Sequence, residues 1–401
     1  MVRHCKFKNV VRLVCIVAVL LHFQCKQGNN KITGDFVVID VSQKYPAKEF
    51  YLQDMATLEY IPLETNDKTL MRSTITPIYV SDNYIITSNQ SDGDVFVFDG
   101  KGKSKFSFNH KGQGPMEYNF FGDFAFDEKA KEIFVFDRYS NGLKIQVYNE
   151  DGRYKRTLTG FSELKEIDIY NFDDETLLVY DKSGVMLQGV FDQALSYTPY
   201  LFMSKTDGSI VDTLSIQLPI RVSNASVQQD GDNILITSIF IANNRLFGKN
   251  FLIADWSSDT IYRLTPEKEL QPMIIRKPPI QETEPKTIIT NFLATEKFIL
   301  CGIYVMDYSQ FRNGGNISKK QWLYNFDTGQ INECAFKNRD ITSSTSVSFQ
   351  EATTPANVGV TIYDASFLIG LNEKGDLKGD LKDLLKSLDA EDNPVLLKIT
   401  F

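Results

Sequence analysis

Short runs of β-branched and aromatic residues, separated by clusters of Asp, Asn, Gly and Pro, recur along most of this chain. Such runs read as strands that end in tight turns. One arrangement repeats: an apolar run, a turn holding Asp or Asn and Gly, then a second apolar run. It appears at residues 95–102, 145–152, 201–208 and 323–329, and residues 261–268 hold the same place with Pro266 in the turn instead of glycine. The spacing is roughly 50 to 60 residues, which accommodates four strands and their turns, the unit of a propeller blade. A second signal keeps phase with the first. The strand before each hairpin ends in an Asx residue and then a Ser: Asn89 and Ser91, Asp137 and Ser140, Asp181 and Ser183, Asp255 and Ser257, Asp307 and Ser309. These side chains bond the backbone just ahead of them and start a turn without glycine. Five blades are marked twice.

The sixth unit is degenerate. Residues 358–363, 367–372 and 394–401 offer three strands, and Leu377, Leu381, Leu384, Leu385 and Leu388 fall at helical spacing, which predicts a short amphipathic helix over 376–388. The missing outer strand lies at the other end of the chain, in Leu58-Glu59-Tyr60-Ile61-Pro62-Leu63. Pairing it with the C-terminal strands closes the ring and removes exposed sheet edges. The expected fold is therefore an all-β, six-bladed β-propeller of four-stranded blades over residues 36–401. An N-terminal strand closes it against the C-terminal blade, and one short helix lies near the C-terminus.

Composition narrows the partners. A formal charge of -8 over 401 residues argues against phosphate-backbone binding, so no nucleic acid is expected. Residues 1–25 read as an export signal, with Arg3, Lys6, Lys8 and Arg12 ahead of the apolar run 13–21. Cleavage before Cys25 would leave a lipidated cysteine followed by a polar linker, residues 26–35. His22, Phe23 and Gln24 depart from the usual lipobox, which leaves plain secretion or an uncleaved anchor as alternatives. Only Cys301 and Cys334 belong to the mature body, too few for a disulfide framework. The expected location is the bacterial cell envelope, periplasm or cell surface, with membrane contact only through the N-terminal lipid.

The second blade, Ile133-Phe134-Val135-Phe136-Asp137 through Tyr148 and Asp151-Gly152-Arg153-Tyr154, resembles an NHL repeat. The wider pattern resembles the "6-bladed beta-propeller" lipoproteins of bacterial envelopes, a group that is NHL-repeat-like and TolB-like. Three segments carry the resemblance: Glu59-Tyr60-Ile61-Pro62-Leu63-Glu64-Thr65, Lys111-Gly112-Gln113-Gly114-Pro115-Met116-Glu117-Tyr118, and Asp392-Asn393-Pro394-Val395-Leu396. Met116 stands where that family usually has Gly. The resemblance implies fold and location far more than activity.

In a propeller, the loops from second to third strand and from fourth strand to the next blade share one face around the central channel. That face is expected to carry ligand-binding residues: Glu117, Tyr118, Asp137, Arg138, Asp181, Asp255, Trp256, Asp307, Tyr308 and Arg312. The bland alternative for the Asx residues is turn formation alone, and for Gly112, Gly114 and Pro115 a blade-to-blade crossover. Catalytic residues are not identified: His110 is the only histidine beyond the signal, which leaves little material for a Ser-His-Asp triad or a His-rich zinc site. The leading expectation is a non-catalytic binding module for a glycan, peptide or protein partner, with no cofactor and no resident metal. The rival is a Ca-dependent propeller enzyme, lactonase- or lyase-like, using channel carboxylates. A third possibility is a scaffold subunit of an envelope complex.

Overall fold

The computed structural model describes residues 36–401 except 72–75, 138–142, 162–163, 165, 183–197, 217, 219–221, 223–224, 231–232, 239–243, 308, 310–316 and 344. The chain starts with three separated strands, β1 (Val37–Asp40), β2 (Ala47–Tyr51) and β3 (Thr57–Pro62). Blade one follows as β4 (Thr76–Val80), β5 (Tyr84–Asn89), β6 (Asp94–Asp99) and β7 (Ser104–Asn109). Blade two is β8 (Phe121–Asp127), β9 (Glu132–Asp137), β10 (Lys144–Asn149) and β11 (Tyr154–Leu158). Blade three is β12 (Ile167–Asn171), β13 (Thr176–Asp181), β14 (Tyr200–Ser204) and β15 (Ile210–Leu214). A separate hairpin, β16 (Ala225–Asp230) with β17 (Asn233–Ser238), precedes blade four. That blade is β18 (Asn244–Phe247), β19 (Asn250–Ile253), β20 (Thr260–Leu264) and β21 (Leu270–Lys277). Blade five is β22 (Thr287–Ala294), β23 (Phe298–Val305), β24 (Ser318–Asn325) and β25 (Ile331–Lys337). The last blade contains β26 (Val358–Tyr363) and β27 (Val395–Thr400).

Ring closure follows the expected pairing: β3 runs antiparallel to β27, with Tyr60 opposite Leu397. The inner strand of this blade, however, is not residues 367–372. The extended segment from Val347 to Thr353 takes that place, where the Gln350 N–H donates to the Val360 carbonyl at 2.8 Å and Thr353 bridges Tyr79 of blade one in parallel. Residues 367–372 instead lie in helix α1 (Ala365–Glu373), whose buried Ala365, Leu368 and Leu371 recur every third residue and form one face. The leucine-rich stretch after it is helical as expected, but over a shorter span: α2 (Gly379–Leu384) continues into a 3-10 turn, Leu385–Ser387. Both helices belong to the β26–β27 connection and pack with Ile341 and Val395.

Six apolar wedges fill the gaps between neighbouring blades. Phe108, Phe126 and Tyr148 fill the space between blades one and two. Phe134, Ile169 and Met203 do so between two and three, and Leu178, Phe202 and Phe251 between three and four. Leu252, Ile299 and Trp322 join four to five, Leu300, Phe336 and Leu397 join five to six, and Ile85, Phe98 and Leu396 close six on one. Each blade is thus apolar on both faces, which is why its central strands read as near-continuous hydrophobic runs.

The hairpin turns between third and fourth strands need a left-handed residue, and Gly102, Gly152, Gly208 and Gly329 supply it with φ from 65° to 83°. In blade four Lys268 takes φ 65° at the same place, the Pro266 variant of the turn. Two features were not legible beforehand. β1 adds in parallel to β21 and β2 adds in parallel to β25, so the N-terminal segment straps the outer edges of blades four and five before becoming the outer strand of blade six. The two terminal motifs also meet: Asn393 donates to the carbonyls of Glu64 and Thr69 at 2.9 and 2.7 Å and accepts from the Met71 N–H at 2.9 Å.

Cys301 on β23 and Cys334 on β25 are separated by β24, as the strand order required, and both thiols are free. Burial pushes each thiol up to about 12.

Candidate functional site

The inner strands of the blades line a cavity of about 920 Å³. At the end where inner strands begin, it is lined by Asp123 on β8, Asp168 on β12, Glu166 just before β12, Lys182 just after β13, and Trp256 in the β19–β20 turn. These are the loop-face positions of blades two, three and four.

The charged groups there are closely coupled. The Lys182 ammonium donates to Asp168 Oδ1 at 2.5 Å and lies 3.7 Å from Glu166 Oε1. Asp123 Oδ2 accepts the Ile169 N–H at 2.6 Å, tying blade two to blade three. Its carboxyl is pushed up to about 8 by its desolvated position and then by the Asp168 charge, against the opposing pull of Lys182. Burial alone would lower the Lys182 ammonium, but Asp168, Asp123 and Glu166 hold it above its ordinary value. The Tyr170 hydroxyl is raised well above its usual value by burial and by Asp168 and Asp123.

Two residues of the cavity wall carry deeply buried donors. Trp256 is 5% exposed and its indole Nε1 has no hydrogen-bond partner. Asn244, 4% exposed, accepts the Tyr200 hydroxyl at 3.2 Å through Oδ1, and its side chain also engages the Tyr170 hydroxyl. Buried donors left unpaired are uncommon and call for an explanation.

The residues singled out from sequence distribute differently. Trp256 lines the cavity. Asp255 beside it accepts the Ser257 N–H at 2.8 Å and the Tyr180 hydroxyl at 3.0 Å, so it serves the turn and the neighbouring blade. Asp307 accepts the Ser309 N–H at 3.1 Å, a second Asx turn. Asp137 is buried and receives the backbone N–H groups of Asn119 and Phe120 at 3.0 and 3.1 Å, which pins the crossover to blade two. Asp181 is buried at the end of β13, its N–H donating to the Pro199 carbonyl.

Glu117 folds back on its own loop, accepting the Gly114 N–H at 2.8 Å. A Cβ at Gly112 would lie 2.0 Å from its carboxylate, so a larger residue there would displace Glu117 from this bond. Tyr118 is fully buried; its hydroxyl accepts the His110 N–H at 3.1 Å and donates to the Gly93 carbonyl at 2.5 Å. His110 in turn bonds the Gly152 carbonyl at 2.6 Å and stacks on Tyr148. Arg138, Tyr308, Arg312 and Cys25 lie outside the described residues.

Sequence reasoning missed Asp123, Glu166, Asp168 and Lys182. A signal existed: consecutive inner strands, Phe121-Gly122-Asp123 and Ile167-Asp168-Ile169, each carry an acid near their start, inside an otherwise apolar run. Among the described residues no three His, Cys, Asp or Glu side chains are grouped to hold a metal ion.

The fold and this cavity define a six-bladed β-propeller with an acidic central channel. The chain belongs to the family described as a domain of unknown function, DUF4934, whose model matches residues 36–400. Among solved structures, a protein from Bacteroides fragilis described as exported superposes with a TM-score of 0.59 at 15% identity, covering 92% of this chain and 99% of that one. A DUF4221 family member from Bacteroides vulgatus gives a TM-score of 0.41 at 10% identity, over 71% of this chain and 89% of that one. Virginiamycin B lyase from Staphylococcus aureus gives 0.39 at 11% identity, over 86% and 99%. Identities this low speak to fold alone. No curated protein matches the chain.

Proposed function

We propose that this propeller is an exported, envelope-held, non-catalytic binding module that takes part of a glycan, peptide or protein partner into the loop-face end of its channel. The observation that carries the reading is the cavity of about 920 Å³, whose wall combines aromatic side chains, Tyr170, Phe172 and Trp256 among them, with the Asp168–Lys182 ion pair. Convergent polar groups in a large cavity with apolar walls are the ordinary form of a ligand site.

Three observations favour binding over turnover. His110 is held by the Gly152 carbonyl and an aromatic stack. The two cysteines are buried with raised thiols. Lys182 is engaged by carboxylates that keep it protonated. None of these is poised as a nucleophile or base at neutral pH. The export and lipid-anchor part rests on the sequence of residues 1–25 and on Cys25, and it extends to the lipoprotein, NHL-like resemblance.

Thermal-shift screening of the purified protein against glycan, peptide and divalent-metal panels tests the binding part, because a native-state ligand raises Tm. A hit should weaken in Trp256→Phe, which removes the donor and keeps an aromatic ring. A hit accompanied by metal-dependent turnover that EDTA abolishes would reverse the ranking in favour of the Ca-dependent enzyme. Fractionation tests the anchor: Cys25→Ser should release the protein from membranes, and unchanged membrane association would rule lipidation out.

A further inference from the structure

We propose that the outer edge of blade three docks an extended segment of another polypeptide, which adds as a fifth strand parallel to β15 and carries an aliphatic residue followed two positions later by Lys or Arg. The site lies on the rim, at the opposite side of the sheet from the inner strand β12, and stands apart from the channel reading.

Blades four and five each carry a fifth strand, and blade three does not. β1 adds in parallel outside β21 and β2 outside β25, through only four and five residues. The edges of β7 and β11 are guarded in other ways. At β7 the Ser104 N–H donates to the Glu64 carboxylate at 2.8 Å and the Ser107 hydroxyl to the Lys68 carbonyl. β11 carries Lys155 and Arg156, charges of the kind that discourage strand addition. On β15, Ile210, Val211, Asp212 and Thr213 are all exposed, no residue is Lys or Arg, and no strand lies on its outer side among the described residues. The Thr213 N–H donates to the Asp212 side chain at 2.8 Å, a local substitute for a strand partner. The pairing of third and fourth strands shifts register in blade three as it does in blade four, where β1 joins the part of β21 beyond the shift. The shift therefore does not bar a fifth strand.

The neighbouring blade shows what such a strand would cover. Val37 and Ile39 pack with Ile299 and Trp322 of blade five, so strand alternation turns Val38 and Asp40 toward blade three. Val38 is 42% exposed, because blade three has no fifth strand to meet it. The occupant lies in that step, with its backbone on β15 and one side-chain row against β1. Running the same way as β1, it meets Val38 first and Asp40 two residues later, which sets the aliphatic and the basic position. The pair with Asp40 is at the surface and fixes register more than it adds affinity. A second copy of the chain fits less well: one five-residue strand pairing on a convex rim falls short of the roughly 1,200 Å² that a stable interface between folded proteins buries. A flexible segment can reach both β15 and β1, the mode in which sheet edges capture peptides.

The probe is the peptide Thr-Val-Thr-Val-Thr-Lys-Thr-amide with an N-terminal fluorescein, used in anisotropy titrations of the purified full chain and followed by amide hydrogen exchange. It should bind saturably and slow exchange over Ile210–Leu214 while leaving β12 unchanged. Exchanging its Lys for Glu should weaken binding a few-fold, and N-methylation of its alternate, edge-facing amides by at least about tenfold. Val211→Lys, at a side chain 56% exposed, should weaken the peptide by about tenfold, and Val38→Lys is a second surface variant with the same expected direction. No saturable binding up to about 1 mM peptide overturns the proposal, as does binding that leaves β15 exchange unchanged or ignores both variants. Slow exchange of the β15 amides in the chain alone would mean that the edge is already filled. Self-association abolished by Val211→Lys would give the edge to a second copy. Either result also overturns the proposal.

Discussion

Asp123 and Asp127 lie four residues apart on β8, one near each end of the strand, and both meet blade three. Their surroundings differ. Asp127 pairs with Lys205 at 2.6 Å, both side chains nearly fully buried, and Lys205 also donates to the Asp173 carbonyl. Next to it Glu132 takes a two-pronged bond from Arg156, at 2.8 and 2.7 Å, and another from Lys155. Burial alone would raise the Glu132 carboxyl, but Arg156 and Lys155 hold it down at about 2. Every acid in this clasp has its cation. At the other end Asp168 and Glu166 face the Lys182 ammonium, while the Asp123 carboxyl, bonded by the Ile169 N–H, is pushed up to about 8 by its desolvation and by Asp168. A junction needing only strength would be built like the first. An end where desolvation and a neighbouring acid hold a carboxyl protonated into the neutral range is the arrangement in which perturbed ionisation accompanies a functional site.

The contrast can be broken most severely at the clasp. Lys205→Ala leaves Asp127 buried without its cation and should cost about 3–5 kcal/mol in urea denaturation. A loss below about 1 kcal/mol would mean that the clasp is not structural.

Asp123→Asn sharpens the comparison through pH. A folded carboxyl near 8 against the ordinary 3.8 means that the native state holds the extra proton between those values. Its contribution to stability is therefore fully present below pH 3.8 and is lost as pH rises through 8. The Asn variant imitates the protonated acid, so its Tm should match wild type near pH 4 and exceed it increasingly toward pH 9. A constant difference across that range would remove the raised carboxyl from the account.

Glu132→Gln should behave in the opposite sense and more weakly. The lowered carboxyl stabilises the fold above its ordinary 4.5 and loses that contribution as pH falls toward 2. The variant should be less stable by about 1–2 kcal/mol at pH 7, allowing for solvent screening at the half-exposed Lys155, with the difference shrinking in acid. The smallest expected effect is none at all: thiol titration of the unreduced, denatured protein should count both Cys301 and Cys334 as free. A bridge between them would contradict the placement of β24 between their strands.

The blades were legible because their signals are local. Alternation, Asx turns and left-handed glycines are properties of neighbouring residues, so 95–102 and 145–152 announce themselves in any context. Even ring closure could be argued, since a blade lacking a strand must find it elsewhere. Residues 367–372 misled because an apolar run that short suits helix or strand, and burial of every third residue is imposed only by the neighbours in the fold. β1 and β2 escaped notice because they hold four and five residues and gain their ladder from β21 and β25, more than 200 positions away.

The site shows the same division. Sequence by itself determined a six-bladed ring, Asx turns at Asp255 and Asp307, and free cysteines on alternate strands. Only the tertiary structure decided that Tyr118 goes to the core and that Asp123, Glu166, Asp168 and Lys182 meet around one cavity. Turn chemistry acts through bonds to the next few residues, whereas the ionisation of Asp123 depends on charges and walls that come from other strands and another blade.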